Sequence, residues 1–476
     1  MTARITLDPA RTSPLNPVWT FGGNTCHAPL WLRGDLQAHL KMLRRDLGFR
    51  HIRAHGTIGD GMETVAADGS FNFDTVIKGL EVLVGLGFKP FLELSHMPAA
   101  LARDPSKHIT AYTFRSSPPK DWGRWYTFIK ACMLALRNHF GVDELRSWWF
   151  EVWNEPDLAF WVGTPAEYFR LYDLAARAIK EVEPSLRVGG PATARTRWID
   201  EFLAHVQAPS PDYGLDLPRC DFIATHAYPS DVAFVDSAEG EVKLQNSNIM
   251  RELFAAVRRK TDAAMGPGFP VICGEWNSSA GPYAFNHDEC NNAAYIAKTM
   301  VELAPITQGS LYWNVSDIYE EGRFHYEPFH GGYGLLTVND VPKSSFHAFR
   351  LLAEHTGEQV GVSVTGDVGA LATRQGKTTR VLLYHYAEPD TSPSPVAVAL
   401  SGLPAAKAVR GERVEPHRGS AYETWREMGS PMFTNRAVLD ALEAASRPAT
   451  FTLEPAAELK LTLAPGTIVQ LTFDGK

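Results

Sequence analysis

The run Trp148-Trp149-Phe150-Glu151-Val152-Trp153-Asn154-Glu155-Pro156 and, 120 residues further on from Glu155 to Glu275, the run Pro270-Val271-Ile272-Cys273-Gly274-Glu275-Trp276-Asn277 share one plan. Each is a largely apolar, strand-like segment with a glutamate close to its end. In a parallel barrel, that is where a strand hands over to the loops of the functional face. Two such glutamates on separate strands point to one shared site.

Working outward, the same alternation of strand and helix extends from Trp19 to about Thr356. Trp19–Gly23 precedes the amphipathic segment Asp35–Leu47, His51–His55 precedes Thr75–Leu86, and Lys89–Ser95 precedes Asp121–Phe140. Trp148–Trp153 precedes Thr164–Val182, where Thr164-Pro165-Ala166-Glu167 supplies an N-cap, a first-turn proline and a capping-box glutamate. Four more units follow: Arg187–Gly190 with Trp198–Val206, Asp221–Ala227 with Asn248–Lys260, Pro270–Trp276 with Cys290–Leu303, and Gly309–Asn314 with Ser344–His355. Eight such units predict a closed (β/α)8 barrel, a TIM barrel, over 14–356.

Beyond Gly357 the pattern changes to short strand-like runs, Val381–Tyr384, Val396–Leu400, Leu459–Leu463 and Ile468–Thr472, separated by Gly, Pro and Ser. This predicts a C-terminal β-sandwich over 357–476, with one helix at Asn435–Ala445. The strand-like Ala3–Leu7 is expected to join that sheet, so residues 1–13 are assigned to it. The sandwich shows no evident exposed aromatic row, and a structural role is expected of it.

Composition narrows the function. The 476 residues exceed what one core usually holds, which fits two domains. The net charge of −8, with Lys and Arg scattered, offers no electrostatic footprint for nucleic acid or an acidic membrane surface. Cys26, Cys132, Cys220, Cys273 and Cys290 lack both CxxC and Cys/His spacing, so neither a disulfide framework nor a metal site is expected. Phe21-Gly22-Gly23-Asn24 lacks the spacing of a dinucleotide fingerprint, and no cofactor is expected. The first residues have no secretory pattern and no run of eighteen apolar residues occurs, so a cytoplasmic location is expected.

The strand ends carry the chemistry. They read Asn24 and His27, Arg53 and His55, Glu93 and His96, Asn154 and Glu155, His226 and Tyr228, Glu275 and Asn277, then Trp313, Asn314 and Asp317. Core packing does not select so polar a set, whereas a sugar with several hydroxyls requires a ring of donors and acceptors. A lone strand-end glutamate is more often a solvated or ion-paired residue; two of them, facing each other, are the minimum equipment for acid/base work on a glycosidic bond. Tyr228 is placed to hold the Glu275 carboxylate. Arg53 reads equally as a structural ion-pair partner or as the charge that keeps Glu275 ionised. Trp313 reads as a stacking platform for a sugar face, with core packing as the alternative.

Trp-Asn-Glu-Pro at the fourth strand, His226-Ala227-Tyr228 at the sixth and Gly-Glu-Trp-Asn at the seventh resemble the retaining glycoside hydrolases of clan A. The combination resembles glycoside hydrolase family 39, the β-xylosidases and α-L-iduronidases, over the whole chain. The resemblance implies Glu155 as acid/base and Glu275 as nucleophile. It places His55, Asn154, Phe160, His226 and Tyr228 around the sugar, with the loop carrying Glu320 and Glu321 adding contacts that close the pocket. The implied function is a retaining, exo-acting β-D-xylosidase that releases xylose from the non-reducing end of short xylo-oligosaccharides, working without metal or cofactor. A monomer is expected. The alternatives are an iduronidase-like hydrolase, for which Arg323 would meet a sugar carboxylate, an endo-acting clan A enzyme, and a non-catalytic sugar-binding barrel.

Overall fold

A computed structural model describes residues 2–230, 232–233, 242–243, 248–319, 325–388 and 391–475. Glu320, Glu321 and Arg323 lie outside the described residues. Eight parallel strands close into a barrel in sequence order: Gly22–His27, His51–His55, Lys89–Leu94, Trp149–Val152, Arg187–Thr193, Phe222–His226, Val271–Trp276 and Gly309–Tyr312. The helices that follow them run Gly34–Met42, Asp74–Gly85, Trp122–Phe140, Pro165–Val182, Ile199–Gln207, Ile249–Met265, Asn291–Leu303 and Ser344–Ala353. The (β/α)8 architecture expected from the alternation is the one adopted. At the fourth helix, Thr164 Oγ1 accepts from Glu167 N at 3.2 Å and Glu167 Oε2 accepts from Thr164 N at 2.9 Å, so both halves of the capping box form.

The two-residue period of a strand sorts its side chains between the barrel interior and the helix layer. Leu92, Phe150, Ile52 and Ile223 face outward into the main core beneath the helices. Their neighbours face inward and build two layers of opposite character. Phe21, Phe91, Trp149, Phe222, Ile272 and Leu311 form an apolar floor, with Phe91 and Trp149 stacked at 6.1 Å. One pleat further along their strands, Glu93 and Glu151 stand above Phe91 and Trp149 and face each other in register. The polar layer thus lies on a dry aromatic plug, which excludes water from below.

Apart from two short two-stranded ribbons in the barrel's loops, His108–Ile109 with Phe114–Arg115 and Val232–Ala233 with Val242–Lys243, the remaining strands form one continuous ten-stranded sheet curled over its own core. Thr2–Pro14 pairs antiparallel with Glu358–Thr365 on one side and parallel with Val396–Ser401 on the other. Ala3, Ile5 and Leu7 alternate with exposed residues and enter that core. The helix at Arg436–Ala445 is capped by Asn435, whose side chain accepts from Val438 N at 3.0 Å. Sequence reading missed Glu358–Thr365, Gly369–Gln375, Ala406–Pro416 and Ala449–Leu453. Ala406–Pro416 carries Lys407, Arg410, Glu412 and Arg413, and Gly411 within it leaves the space that the Phe451 ring fills. The sheet packs on the barrel's last two helices, where Asn291 Nδ2 donates to Ala387 O at 2.8 Å and Gln470 Nε2 donates to Glu354 Oε2 at 2.8 Å. Among the described residues, no helix is long and apolar enough to cross a membrane.

Candidate active site

At the carboxyl end of the barrel a cavity of about 400 Å³ is lined by His55, Asn154, Glu155, Phe160, Tyr228, Glu275 and Trp313, together with Leu158, Arg195, Tyr283, Tyr319 and Tyr333. The described members of the sequence-predicted set therefore converge, except that His226 and Arg53 lie just beneath the cavity and are fully buried. One guanidinium, that of Arg53, links the cavity-lining Glu275 and Asn154 to the polar layer of Glu93 and Glu151 beneath.

Arg53 makes four hydrogen bonds and one further ion-pair contact. Nε donates to Glu151 Oε2 at 2.6 Å, Nη1 to Glu275 Oε1 at 2.6 Å and to Asn24 Oδ1 at 3.1 Å, and Nη2 to Asn154 Oδ1 at 3.0 Å, with Nη2 also 2.7 Å from Glu93 Oε2 as an ion pair. Burial opposes its charge, but the three carboxylates outweigh that cost and raise its pKa. The contacts of Arg53 are those of the ion-pair reading, with Glu93, Glu151 and Glu275 as its partners. A point-charge lysine could not reproduce this planar fork.

Charge balance explains the layer below. One cation faces Glu93, Glu151 and Glu275, and burial pushes Glu93 and Glu151 up to about 7 against the partial offset from Arg53. Glu93 also accepts from Ser95 Oγ and contacts His55 Nδ1 at 2.8 Å. Burial lowers His55 and His226 to about 3, so both imidazoles are neutral near pH 7.

The two strand-end glutamates differ in their surroundings. Glu275, 4% exposed, is held on both oxygens: Oε1 by Arg53 and Oε2 by the Tyr228 hydroxyl at 3.1 Å. Glu155, 9% exposed, contacts His226 Nδ1 through Oε1 at 2.9 Å. That same Nδ1 is 3.6 Å from Glu275 Oε2, and one oxygen of each glutamate lies within 4.8 Å of the other. The backbone around Asn154 is tightly turned: Trp153 has φ 73° and Glu155 φ 41°, and Glu155 N donates to Ala192 O at 2.8 Å. Non-glycine residues in that region cost on the order of 1–3 kcal/mol, and the strain aims Asn154 and Glu155 into the cavity. Because Asn154 Oδ1 accepts from Arg53, its Nδ2 is turned upward as a buried donor without a protein partner among the described residues. A ligand hydroxyl would satisfy it.

The apolar wall is built from Trp313, Phe160 and the tyrosines. Trp313 is 5% exposed and packs on His55 with ring centroids 4.8 Å apart, and Asn277 Nδ2 holds its carbonyl at 2.5 Å. Phe160 stacks on His96 at 5.8 Å. Tyr333 is placed by a buried ionic pin: Lys343 Nζ, fully buried, is 2.5 Å from Asp288 Oδ1, 2.7 Å from Asp317 Oδ2 and 2.9 Å from Gly332 O. Asp288 and Asp317 in turn accept from Gly331 N and Gly334 N at 2.6 and 2.7 Å. A Cβ on Gly332 or Gly334 would meet Asp317 at 2.4 or 2.3 Å, so only glycine fits on either side of Tyr333. Sequence reasoning missed Tyr333, Tyr319, Tyr283 and Arg195, which sit on loops; the Gly331-Gly332-Tyr333-Gly334 run was the one available signal.

Two groups, His55–Glu93–His96 and Glu155–His226–Glu275, bring three potential ligand atoms within 4.8 Å of one another. Neither suits a cation well. Arg53 already supplies positive charge to Glu93 and Glu275, and each group would have to give up an existing hydrogen bond.

The comparisons with known proteins agree with this geometry. Residues 3–458 match the family described as glycosyl hydrolases family 39. The chain is 36% identical over 448 residues to a β-xylosidase of Caldicellulosiruptor saccharolyticus, covering 92% of this chain and 90% of that one. It is 32% identical over 449 residues to a β-xylosidase of Geobacillus stearothermophilus, covering 90% and 86%. Its structure resembles that of a monomeric β-xylosidase from Caulobacter crescentus CB15, with a TM-score of 0.87, 32% identity and 99% coverage of both chains. An alternating barrel with two opposed strand-end glutamates, matched over nearly its full length, belongs to glycosyl hydrolases family 39, and the chain is a glycoside hydrolase.

Proposed function

We propose that this glycoside hydrolase is a retaining, exo-acting β-D-xylosidase that removes xylose from the non-reducing end of short xylo-oligosaccharides. The observation that carries this is the Glu155–His226–Glu275 arrangement, with oxygens of the two glutamates within 4.8 Å. That spacing is compatible with the ~5–5.5 Å between carboxyls in retaining glycosidases and supports retention. The β-xylosidase relatives support the pentose.

In the first step Glu275, fixed by Arg53 and Tyr228, attacks the anomeric carbon, while Glu155 gives its proton to the departing glycosidic oxygen. His226 Nδ1 stands 2.9 Å from Glu155 Oε1 and holds the acid/base carboxyl from below. Asn154 Nδ2 is the donor for a sugar hydroxyl next to the reacting carbon. A glycosyl ester on Glu275 forms, and its charge is lost, so Glu155 then serves as base for the incoming water and the ester is cleaved with retention. The apolar wall of Phe160, Trp313, Tyr319 and Tyr333 along the cavity supports the chain-end reading. We assign residues 14–356 to catalysis, and residues 1–13 with 357–476 to an accessory sheet. A monomer is proposed by analogy with the Caulobacter protein.

The test is hydrolysis of nitrophenyl β-D-xyloside against the β-D-glucoside and α-L-iduronide, with Glu275→Gln alongside. Xyloside turnover reduced at least 10³-fold in the variant supports the assignment. Turnover of either other glycoside in place of the xyloside moves the substrate; turnover that survives in Glu275→Gln sinks the mechanism.

A further inference from the structure

The ladder between the fourth and fifth barrel strands runs from Trp149 and Arg187 to Glu151 and Gly189, where both chains begin to turn toward the loops of the cavity. Two hydrogen bonds carry the pairing beyond that point. Glu155 N donates to Ala192 O at 2.8 Å, and Ala194 N donates to Asp157 Oδ1 at 2.9 Å. The first joins backbone to backbone; in the second a side chain takes the place of the backbone acceptor. We infer that Asp157 is a positioning residue for the acid/base carboxyl, because its bond to Ala194 locks the turn that follows Glu155 onto the loop after the fifth strand. The inference rests on the reading of Glu155 as acid/base.

Three observations carry it. First, both loops are strained and have to be held. Besides Trp153 and Glu155, the residues Ala192, Arg195, Thr196 and Trp198 have φ between 54° and 58°. Non-glycine residues keep such a backbone only where their surroundings enforce it. Second, the bond is long-range. An aspartate in a turn ordinarily bonds backbone two residues on, whereas Asp157 Oδ1 reaches a residue 37 positions away. Its carboxyl is drawn out of water in doing so: burial pushes it up to about 6, and Oδ2 is buried without a protein partner among the described residues. A solvated turn residue would not carry that penalty.

Third, both ends of the bond belong to the site. Ala194 and Arg195 line the cavity, and so do Glu155, Leu158 and Phe160 on the other loop. His226 meets the Glu155 carboxyl, and Asp157 fixes the backbone that presents it. Glu275 has separate anchors, Arg53 on the second strand and Tyr228 after the sixth. Loss of the Asp157 bond therefore displaces the proton donor and leaves the nucleophile in place.

The experiment compares Asp157→Ala and Asp157→Asn with the unmodified enzyme on xylobiose and on dinitrophenyl β-D-xyloside, with thermal melts in parallel. Asp157→Ala should lower kcat/KM for xylobiose by ~10–100-fold, the scale of a small misplacement of a reacting group. For the dinitrophenyl substrate, whose leaving group needs no proton, kcat/KM should stay within about threefold of the parent. There kcat should fall at the second step, and azide, a nucleophile that needs no general base, should restore it. Asparagine keeps the acceptor in place and should recover most of the loss. Where Asp157→Ala does not fold, Asp157→Glu, which displaces the acceptor by one methylene, should show the same pattern. An equal loss on both substrates, no loss on either, or an asparagine variant as impaired as alanine overturns the inference. Glu155→Gln run alongside separates the two readings. If it shows the leaving-group pattern and Asp157→Ala does not, the inference alone falls; if Glu155→Gln lacks the pattern, the acid/base reading falls and the inference with it.

Discussion

Nη1 of Arg53 stands 2.6 Å from Oε1 of Glu275, and the other donors of the same guanidinium reach Glu93, Glu151, Asn24 and Asn154. One residue of the second barrel strand therefore orients groups from the first, third, fourth and seventh. Arg53→Lys keeps the charge but cannot reach all five acceptors. We expect kcat to fall by two orders of magnitude or more and stability to drop by about 3–5 kcal/mol, as for breaking a buried ion pair. Parallel thermal melts and xyloside kinetics check both; a lysine variant with near-normal kcat would show that the fork does not position Glu275.

Glu155→Gln tests the division of labour between the two steps. General acid assistance is worth ~10²–10⁴. The loss should reach that range with xylobiose, whose leaving group needs a proton, and shrink with dinitrophenyl β-xyloside, whose leaving group does not. Equal losses on both substrates would remove Glu155 from the acid role.

The buried carboxylates make stability pH-dependent. Glu151 is pushed up to about 7 in the folded chain from an ordinary 4.5, so the folded state binds its proton more tightly than the unfolded state. That contribution is fully present below about pH 4.5 and is lost as pH rises through about 7. Glu151→Gln cannot ionise. Its stability relative to the parent should therefore climb between pH 5 and pH 8, by on the order of 3 kcal/mol for a group with no solvent exposure. Urea melts across that range give the slope, and a difference that stays flat with pH would show that Glu151 is already ionised at pH 5.

Lys343 is the cation between two buried aspartates, and its removal leaves both uncompensated. Lys343→Met should cost about 3–5 kcal/mol. Because Lys343 also holds Gly332 O beside Tyr333, the loss should appear as a raised KM at temperatures where the variant is folded, with Lys343→Arg recovering part of it. A KM equal to the parent's would confine the pin to stability.

Much of this was legible in the sequence because strand periodicity and strand-end chemistry are local. The eight barrel strands follow from short apolar runs, and Glu155, Glu275, His55 and Asn154 follow from their places just past those runs. The inward row was harder to read. Glu93 and Glu151 sit one pleat above Phe91 and Trp149, and nothing in a single strand shows that an arginine from another will neutralise them. Tyr283, Tyr319 and Tyr333 reach the pocket from loops whose course depends on tertiary anchors such as Lys343. In the curled sheet, charge-rich Ala406–Pro416 hid its strand character because only four of its eleven residues are buried.

The pairing of Thr2–Pro14 with strands from the far end of the chain sets a timetable for biosynthesis. Arg4 N donates to Thr365 Oγ1 across 361 positions, and the parallel neighbour Val396–Ser401 emerges later still. At ~5–20 residues per second, the first strand waits roughly 20–70 s on the ribosome with Ala3, Ile5 and Leu7 uncovered, while the barrel between is made. The nascent chain thus carries an unpaired, half-apolar edge that invites chaperone capture. Its resistance to protease should rise only in stalled chains long enough to present residue 401, and early protection would mean that another surface shelters it first.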